Sequence, residues 1–166
     1  RKQALLMAEF MSRDNVIWFE EPVWHRDHEG LRLMRDRAPA CMDISAGEYG
    51  FELTYFRRLL EMNCIDVLQV DATRCGISTM LRVAAMCESH HIPLSTHTAP
   101  AIHLHPACAL EPVRHMEYFH DHVRIENMLF DGFPQLKEGK LEPDLSRPGV
   151  GLELREADAR RFQTSS

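Results

Sequence analysis

The chain has 166 residues, of which 45% are apolar and 27% charged, and its formal net charge is −6. The apolar share excludes disorder, 8 Gly and 9 Pro exclude a collagen-like chain, and no run comes near the roughly 20 apolar residues of a membrane span. The length fits one domain of about 100–200 residues and excludes a complete eight-unit (β/α) barrel, which takes about 250.

Short apolar runs alternate with helical patterns along the chain. Helical spacing covers residues 2–13, where Leu5, Leu6, Ala8 and Phe10 give a partly apolar face. Residues 16–19 read as a buried strand, and helical spacing returns over 27–37 through Leu31, Leu33 and Met34. Residues 42–44 form a second short strand. A helix over 51–62 turns Phe51, Tyr55, Phe56, Leu59 and Leu60 inward. Residues 66–70 are a third strand, followed by a helix over 78–89 with Leu81, Val83, Ala84, Ala85 and Met86 as its apolar set. A fourth strand covers 92–96, with Pro93 near its start, where proline is tolerated. A short helix over 101–110 leads to a fifth strand over 114–119. Strands alternating with helices of this length indicate βα units and a parallel sheet. Beyond residue 128 the pattern changes to a hairpin turn over 136–141, a Pro- and Gly-rich connection over 143–151, a short helix over 156–162 and a frayed tail over 163–166. Met80, Met86, Met116 and Met128 read as core filling.

Each of the five strands ends in an ionisable residue: Glu20, Glu48, Asp71, His97 and Glu117. The gaps between them are 28, 23, 26 and 20 residues, one βα unit each time. In parallel α/β folds the C-terminal ends of the strands share one side, so these groups converge on one pocket. A single acid after a strand is ordinarily a helix N-cap or a solvated loop residue; five in phase are not explained that way. Glu20-Glu21-Pro22 puts two carboxylates at the end of a buried run, where charge needs a cation or hydrogen bonds. Gly47 lets the backbone approach closely just before Glu48. Such oxygen donors suit Mg²⁺ rather than zinc. The acidic balance and the scatter of Arg32, Arg35, Arg37, Arg57 and Arg58 argue against a nucleic-acid partner. The five cysteines (Cys41, Cys64, Cys75, Cys87 and Cys108) form no C-x-x-C pair. They support neither a disulfide framework nor a zinc ribbon, and they suit a reducing cytoplasm.

Phe19-Glu20-Glu21-Pro22, Ala46-Gly47-Glu48, Val70-Asp71-Ala72-Thr73-Arg74-Cys75-Gly76 and Leu94-Ser95-Thr96-His97, in this order and spacing, resemble the enolase superfamily. The resemblance is closest to its mandelate racemase/muconate lactonizing enzyme-like branch, and it extends to the Pro-Gly segment at 144–153. It implies an α/β fold that is part of a TIM (β/α)₈ barrel: residues 1–134 carry the fourth to eighth strands, and residues 135–166 return toward a capping domain. It implies Mg²⁺ as cofactor, with Glu20 and Glu48 as the second and third metal ligands. His97 is then the general base, Asp71 its orienting partner, and Glu117 the acid that hydrogen-bonds the substrate carboxylate. The implied reaction is removal of the proton α to a carboxylate, with an acid-sugar dehydratase first and a racemase or epimerase as the alternative. The implied setting is a cytoplasmic homo-oligomer acting on a small carboxylate, with no nucleic-acid or membrane partner.

The sequence also departs from that family. Its first metal ligand (an Asp on the third strand), its Lys-x-Lys pair and its capping domain are absent, and Cys75-Gly76-Ile77 stands where relatives carry Gly-Gly. With two of three metal ligands and one of two bases, little or no turnover is expected from this polypeptide alone. The start lacks an initiator Met and a signal-peptide apolar region, which leads one to expect a piece of a longer protein. A non-catalytic remnant or assembly module is the second reading, because an opened barrel leaves two unpaired sheet edges. A flavodoxin-like domain ranks last, since Glu20-Glu21-Pro22 repels phosphate where that fold needs a Gly-rich turn. His103 and His105 read as solvated rather than as a metal pair, and His120 and His122 as surface residues. His90 and His91 sit in the last turn of a helix, where the dipole favours a cation. Arg74 is read as facing either an anionic substrate or a salt-bridge partner.

Overall fold

The computed structural model describes residues 1–164. In chain order the elements are α1 (Lys2–Ser12), β1 (Trp18–Glu20), α2 (His28–Arg37), β2 (Asp43–Ala46), α3 (Leu53–Glu61), β3 (Val67–Val70), α4 (Ala72–Cys75) and α5 (Ile77–Ser89). These are followed by β4 (Leu94–Thr96), α6 (Pro100–Cys108), β5 (Val113–Met116), α7 (His120–Leu129), β6 (Phe130–Asp131), β7 (Glu153–Leu154) and α8 (Glu156–Ala159), with a 3₁₀ turn over Arg160–Phe162.

The five main strands pair in the order β1-β2-β3-β4-β5, and every pairing is parallel. Strictly consecutive order is what a barrel gives; a flavodoxin-like sheet doubles back after its first strands, so that reading is excluded. The sheet also curves. Trp18 on β1 and His115 on β5 bring their ring centroids to 4.9 Å although three strands lie between them. Arg114 of β5 likewise forms an ion pair with Asp43 of β2.

The core lies between the convex side of this sheet and its helices. Phe56 and Leu59 from α3, and Met80 and Val83 from α5, pack with Leu68, Val70 and Leu94. Helix α5 turns inward through Met80, Val83, Ala84 and Cys87, a three-and-four spacing that makes one stripe, and it leaves Leu81 exposed. In α3 the expected inner face holds for Phe56, Leu59 and Leu60, whereas Phe51 precedes the helix and is exposed. Helix α1 keeps only part of its expected inner face, Leu5 and Ala8. It buries the small Ala4 and Ala8 against the Met34 and Ile44 cluster, and the opposite i, i+4 pair, Leu6 and Phe10, is 66% and 64% exposed. Of the four methionines read as core, Met80 is buried and Met86, Met116 and Met128 are half-buried.

Helices α1, α3 and α5 hand over to the next strand through Asn15, Asn63 and His91, with φ of 57°, 52° and 55°. A left-handed residue just past a helix is a common stop, and asparagine takes it readily. Strands β1 and β2 run further than their apolar runs suggest, because the pairing Glu20↔Ser45 extends them. Helices α4 and α7 and the small β6–β7 sheet were not among the expected elements. The hairpin falls where expected, with Lys137 bridged to Lys140, and the final helix divides into α8 and the 3₁₀ turn. Arg147 ties the β6–β7 region together by pairing with Asp131 and Glu153 and donating to the Gly151 carbonyl. Residues 165–166 of the expected tail lie outside the described residues. Among the described residues no helix is long and apolar enough to cross a membrane.

The two phenylalanines separate core from surface. Phe56→Ala should cost about 3–5 kcal/mol of unfolding free energy in urea titration. Phe10→Ala should change it by no more than about 0.5 kcal/mol. Equal losses would contradict the burial assigned to α1 and α3.

Candidate active site

All five expected residues lie at the C-terminal end of the sheet. Glu20 closes β1, Glu48 follows β2 by two residues, and Asp71, His97 and Glu117 each follow β3, β4 and β5 directly. They converge on the His97 imidazole. Its Nδ1 is 3.1 Å from Asp71 Oδ2, and its Nε2 is 2.9 Å from Glu48 Oε2 and 4.0 Å from Glu117 Oε2. Glu20, Glu48 and His97 each offer one ligand atom, and all three atoms lie within 4.8 Å of one another.

Local sequence explains these positions. Gly47 has φ +137°, and a Cβ there would stand 2.2 Å from the Gln69 backbone carbonyl oxygen. Only glycine lets β2 pass β3 this closely, and the next residue is Glu48. Asp71 caps α4: its Oδ1 accepts from the Thr73 backbone N–H at 2.8 Å and from the Thr73 hydroxyl at 2.6 Å. Its other oxygen is left to face His97. Glu20 accepts from the Trp18 indole N–H at 3.3 Å. Residues two apart in a strand share a face, so Trp18 sits directly beneath Glu20 on the concave side.

The electrostatics follow from crowding. An ionised carboxylate only accepts hydrogen bonds, so His97 Nδ1 donates to Asp71, and two further acids, Glu48 and Glu117, face Nε2 and favour the charged ring. Burial works against that charge, but the bond to Asp71 and the fields of Glu48 and Glu117 outweigh it and raise the His97 pKa. Burial likewise pushes Asp71 upward, yet the bonds from His97 and Thr73 prevail and hold its carboxyl at about 2. Glu48 is raised, chiefly by burial and against the pull of His97, with Glu20 adding to the rise.

Two residues of the site, Glu21 and Tyr49, carry no role in the sequence reading. Glu21 stands at φ 44° with its Oε1 buried and, among the described residues, without a hydrogen-bond partner. Burial, then Glu48 and Glu20, push its carboxyl up to about 7. The doubled glutamate of Glu20-Glu21-Pro22 was the available signal. Tyr49 stacks under Arg74, whose guanidinium is 4.8 Å from the ring centroid and 3.4 Å from Asp71 Oδ2, which gives Arg74 a salt-bridge partner. Glu117 already holds backbone, because Oε2 accepts the Thr98 N–H at 2.7 Å.

The histidines need correction. His103 is not solvated; its side chain is 0% exposed and fully hydrogen-bonded. His122 accepts from the Ala99 N–H at 3.3 Å, while His120 is exposed as expected. His90 and His91 lie just past α5, which ends at Ser89, and both are exposed.

The donor set fits a hard divalent cation. Glu20 and Glu48 supply carboxylate oxygens close together, and beside them Glu21 is pushed up to about 7 by burial and then by their negative charge. Among the described residues the third member of that group is His97 rather than a further carboxylate.

The family model for the enolase C-terminal domain-like family matches residues 1–158. A curated relative, L-talarate/galactarate dehydratase from Salmonella typhimurium, is 34% identical over 171 aligned positions, covering 98% of this chain and 39% of its own length. A solved mandelate racemase/muconate lactonizing enzyme-like protein from Rubrobacter xylanophilus superposes with a TM-score of 0.92 at 48% identity, covering 96% of this chain and 45% of that one. The Salmonella typhimurium LT2 dehydratase, solved with Mg and L-lyxarohydroxamate, gives a TM-score of 0.86 at 30% identity over 99% of this chain and 40% of that one. The chain therefore spans about two fifths of the length of these relatives.

Asp71 gives a pH test. Its folded pKa, about 2, lies below the ordinary 3.8. Its contribution to stability is thus fully present above about pH 3.8 and is lost as pH falls toward 2. Urea unfolding between pH 5 and 3 should show a steeper acid loss in the wild type than in Asp71→Asn. Parallel curves would contradict the bonding assigned to Asp71.

Proposed function

The chain belongs to the enolase C-terminal domain-like family, and from that premise we propose that it forms the catalytic barrel segment of a Mg²⁺-dependent acid-sugar dehydratase. The observation that carries this reading is the His97 ring, held by Asp71 on Nδ1 at 3.1 Å and facing the carboxylate side of the pocket with Nε2. Glu20 and Glu48 would hold the ion. Mg²⁺ bound there supplies Lewis-acid stabilisation of the negative charge that grows on a substrate carboxylate as its α-carbon loses a proton.

The remaining chemistry belongs to the chain's own residues. In its neutral form, with the proton on Nδ1 toward Asp71 and the Nε2 lone pair free, His97 would take the α-proton on Nε2. Asp71 keeps the ring in one orientation and stabilises the imidazolium that forms. Glu117 stands 4.0 Å from the same nitrogen, on the side where a substrate carboxylate would meet it. Where the substrate carries a β-hydroxyl, the protonated His97 can return its proton to the departing oxygen, which makes the reaction a dehydration. Aldarates such as galactarate, L-talarate and glucarate have that pattern. Racemisation, the alternative, would need a second base on the opposite face of the substrate. This chain contributes two carboxylate ligands and one base, so turnover is proposed to need the other barrel strands.

The test is α-deuterium exchange into galactarate in D₂O with Mg²⁺, using a polypeptide that carries this sequence together with the preceding barrel strands. His97→Asn should lower exchange about 10²–10⁴-fold while Mg²⁺ still raises the melting temperature. Exchange unchanged by His97→Asn would contradict the assignment of the base.

A second reading, association through the open sheet, is favoured by β1 and β5 each having one strand neighbour among the described residues. Light scattering of the chain should then show species above 19.2 kDa. A monodisperse monomer would count against it.

A further inference from the structure

His97 and Asp71 ride on separate loops, and each loop ends in backbone that needs outside support. After His97, Thr98 and Ala99 both take left-handed conformations, with φ of 49° and 34°. Neither residue is glycine, and two such residues in succession persist only where their surroundings hold them. After Asp71, the Ala72 N–H at the start of the short helix α4 has no intrahelical acceptor. One side chain meets all of these groups. His103 on α6 places Nδ1 at 3.0 Å from both the Thr98 and the Ala99 carbonyl oxygens, and its Nε2 lies 2.8 Å from the Ala72 backbone nitrogen.

The donors and acceptors fix the ring. Two carbonyls require a proton on Nδ1, and an amide N–H requires a lone pair on Nε2. Only the neutral Nδ1–H tautomer satisfies both. Burial, which lowers the His103 pKa, keeps the ring in that form. His103 Nε2 is also 3.9 Å from Asp71 Oδ1, so the ring lies against the Asp71 side of the dyad. The rest of the loop is held from other elements: Glu117 accepts from Thr98 N–H, and His122 on α7 accepts from Ala99 N–H.

We infer that His103 is a positioning residue that cross-links the Asp71 loop to the His97 loop and so sets the spacing of the dyad. It acts through backbone on both sides and contacts no substrate. Its effect on turnover rests on the proton-abstraction reading above; its effect on dyad geometry does not.

The first measurement needs no variant. ¹⁵N NMR of the histidine rings in the full chain should show His103 as the neutral Nδ1–H tautomer at pH 7, and an Nε2–H tautomer there would overturn the cross-link. The second follows the ring N–H proton of His97 that is bonded to Asp71. In His103→Phe, which keeps ring volume but neither bond, that resonance should shift or broaden. His103→Gln places an amide near the Nε2 position and should restore part of the wild-type signal. Should the Phe variant not fold, Gln and Asn decide the matter, since each keeps one half of the link and each should move the resonance partway. In a polypeptide with the remaining barrel strands, kcat for α-deuterium exchange should fall at least about tenfold in the most perturbed variant that folds. KM and Mg²⁺ affinity should stay within about threefold, because His103 touches neither substrate nor metal ligands. A packing role alone would lower the melting temperature of every variant and leave both the His97 resonance and kcat per folded molecule unchanged, and that result overturns the proposal. Failure of the proton-abstraction reading would look different: no exchange in the unaltered protein, with the His97 resonance still responding to His103.

Discussion

The His97 imidazole, gripped by Asp71 on one nitrogen and by Glu48 on the other, is the contact on which the rest of the site depends. It joins the ends of β2, β3 and β4, and it neutralises part of a dense set of carboxylates. The same contact helps hold Asp71 acidic, whereas burial and neighbouring carboxylates push Glu48 and Glu21 the other way, against the pull of His97. Asp71 collects donors, whereas Glu21 meets burial and two like charges. Acids driven apart in this manner mark a site arranged for proton transfer or for a metal ion.

The scaffold makes that contact by curvature. Consecutive parallel pairing keeps each strand end within one step of the next, and the bend that brings Trp18 to His115 draws the outer strands toward a common centre. Beneath the site, Trp18 supports Glu20, and Gly47 allows the close pass of β2 and β3. Strain gathers at the mouth: Glu21, Thr98 and Ala99 all take left-handed backbone right after strand ends. Strain of this kind costs about 1–3 kcal/mol per residue and lasts only where surrounding contacts impose it. His103, Glu117 and His122 are those contacts for Thr98 and Ala99.

Much of this was legible in the sequence. Glu20, Glu48, Asp71, His97 and Glu117 recur at one βα unit each, and a parallel sheet turns that spacing into proximity. The role of Gly47 was legible too, since a glycine just before a strand-end acid signals close backbone approach. Other features depend on tertiary contacts. The apolar face of α1 is legible only in part, because Leu5 and Ala8 meet the core together with Ala4, whereas the larger Leu6 and Phe10 face outward. His103 was read as solvated because nothing in His103-Leu104-His105 tells which histidine faces Ala72, a residue 31 positions away. Strands β6 and β7 are two residues each, too short for any alternation to show.

The central claim is that Glu20, Glu48 and His97 line a cation-dependent proton-transfer site. Mn²⁺, a paramagnetic stand-in for Mg²⁺, tests it most directly in the ¹⁵N-labelled chain. Titrated Mn²⁺ should broaden the His97 ring and the Glu20 and Glu48 amides first, leave the distant His90 and His91 sharp, and be displaced by excess Mg²⁺. Broadening that begins at other carboxylates, or that persists unchanged in a Glu20→Gln/Glu48→Gln double variant, would contradict it.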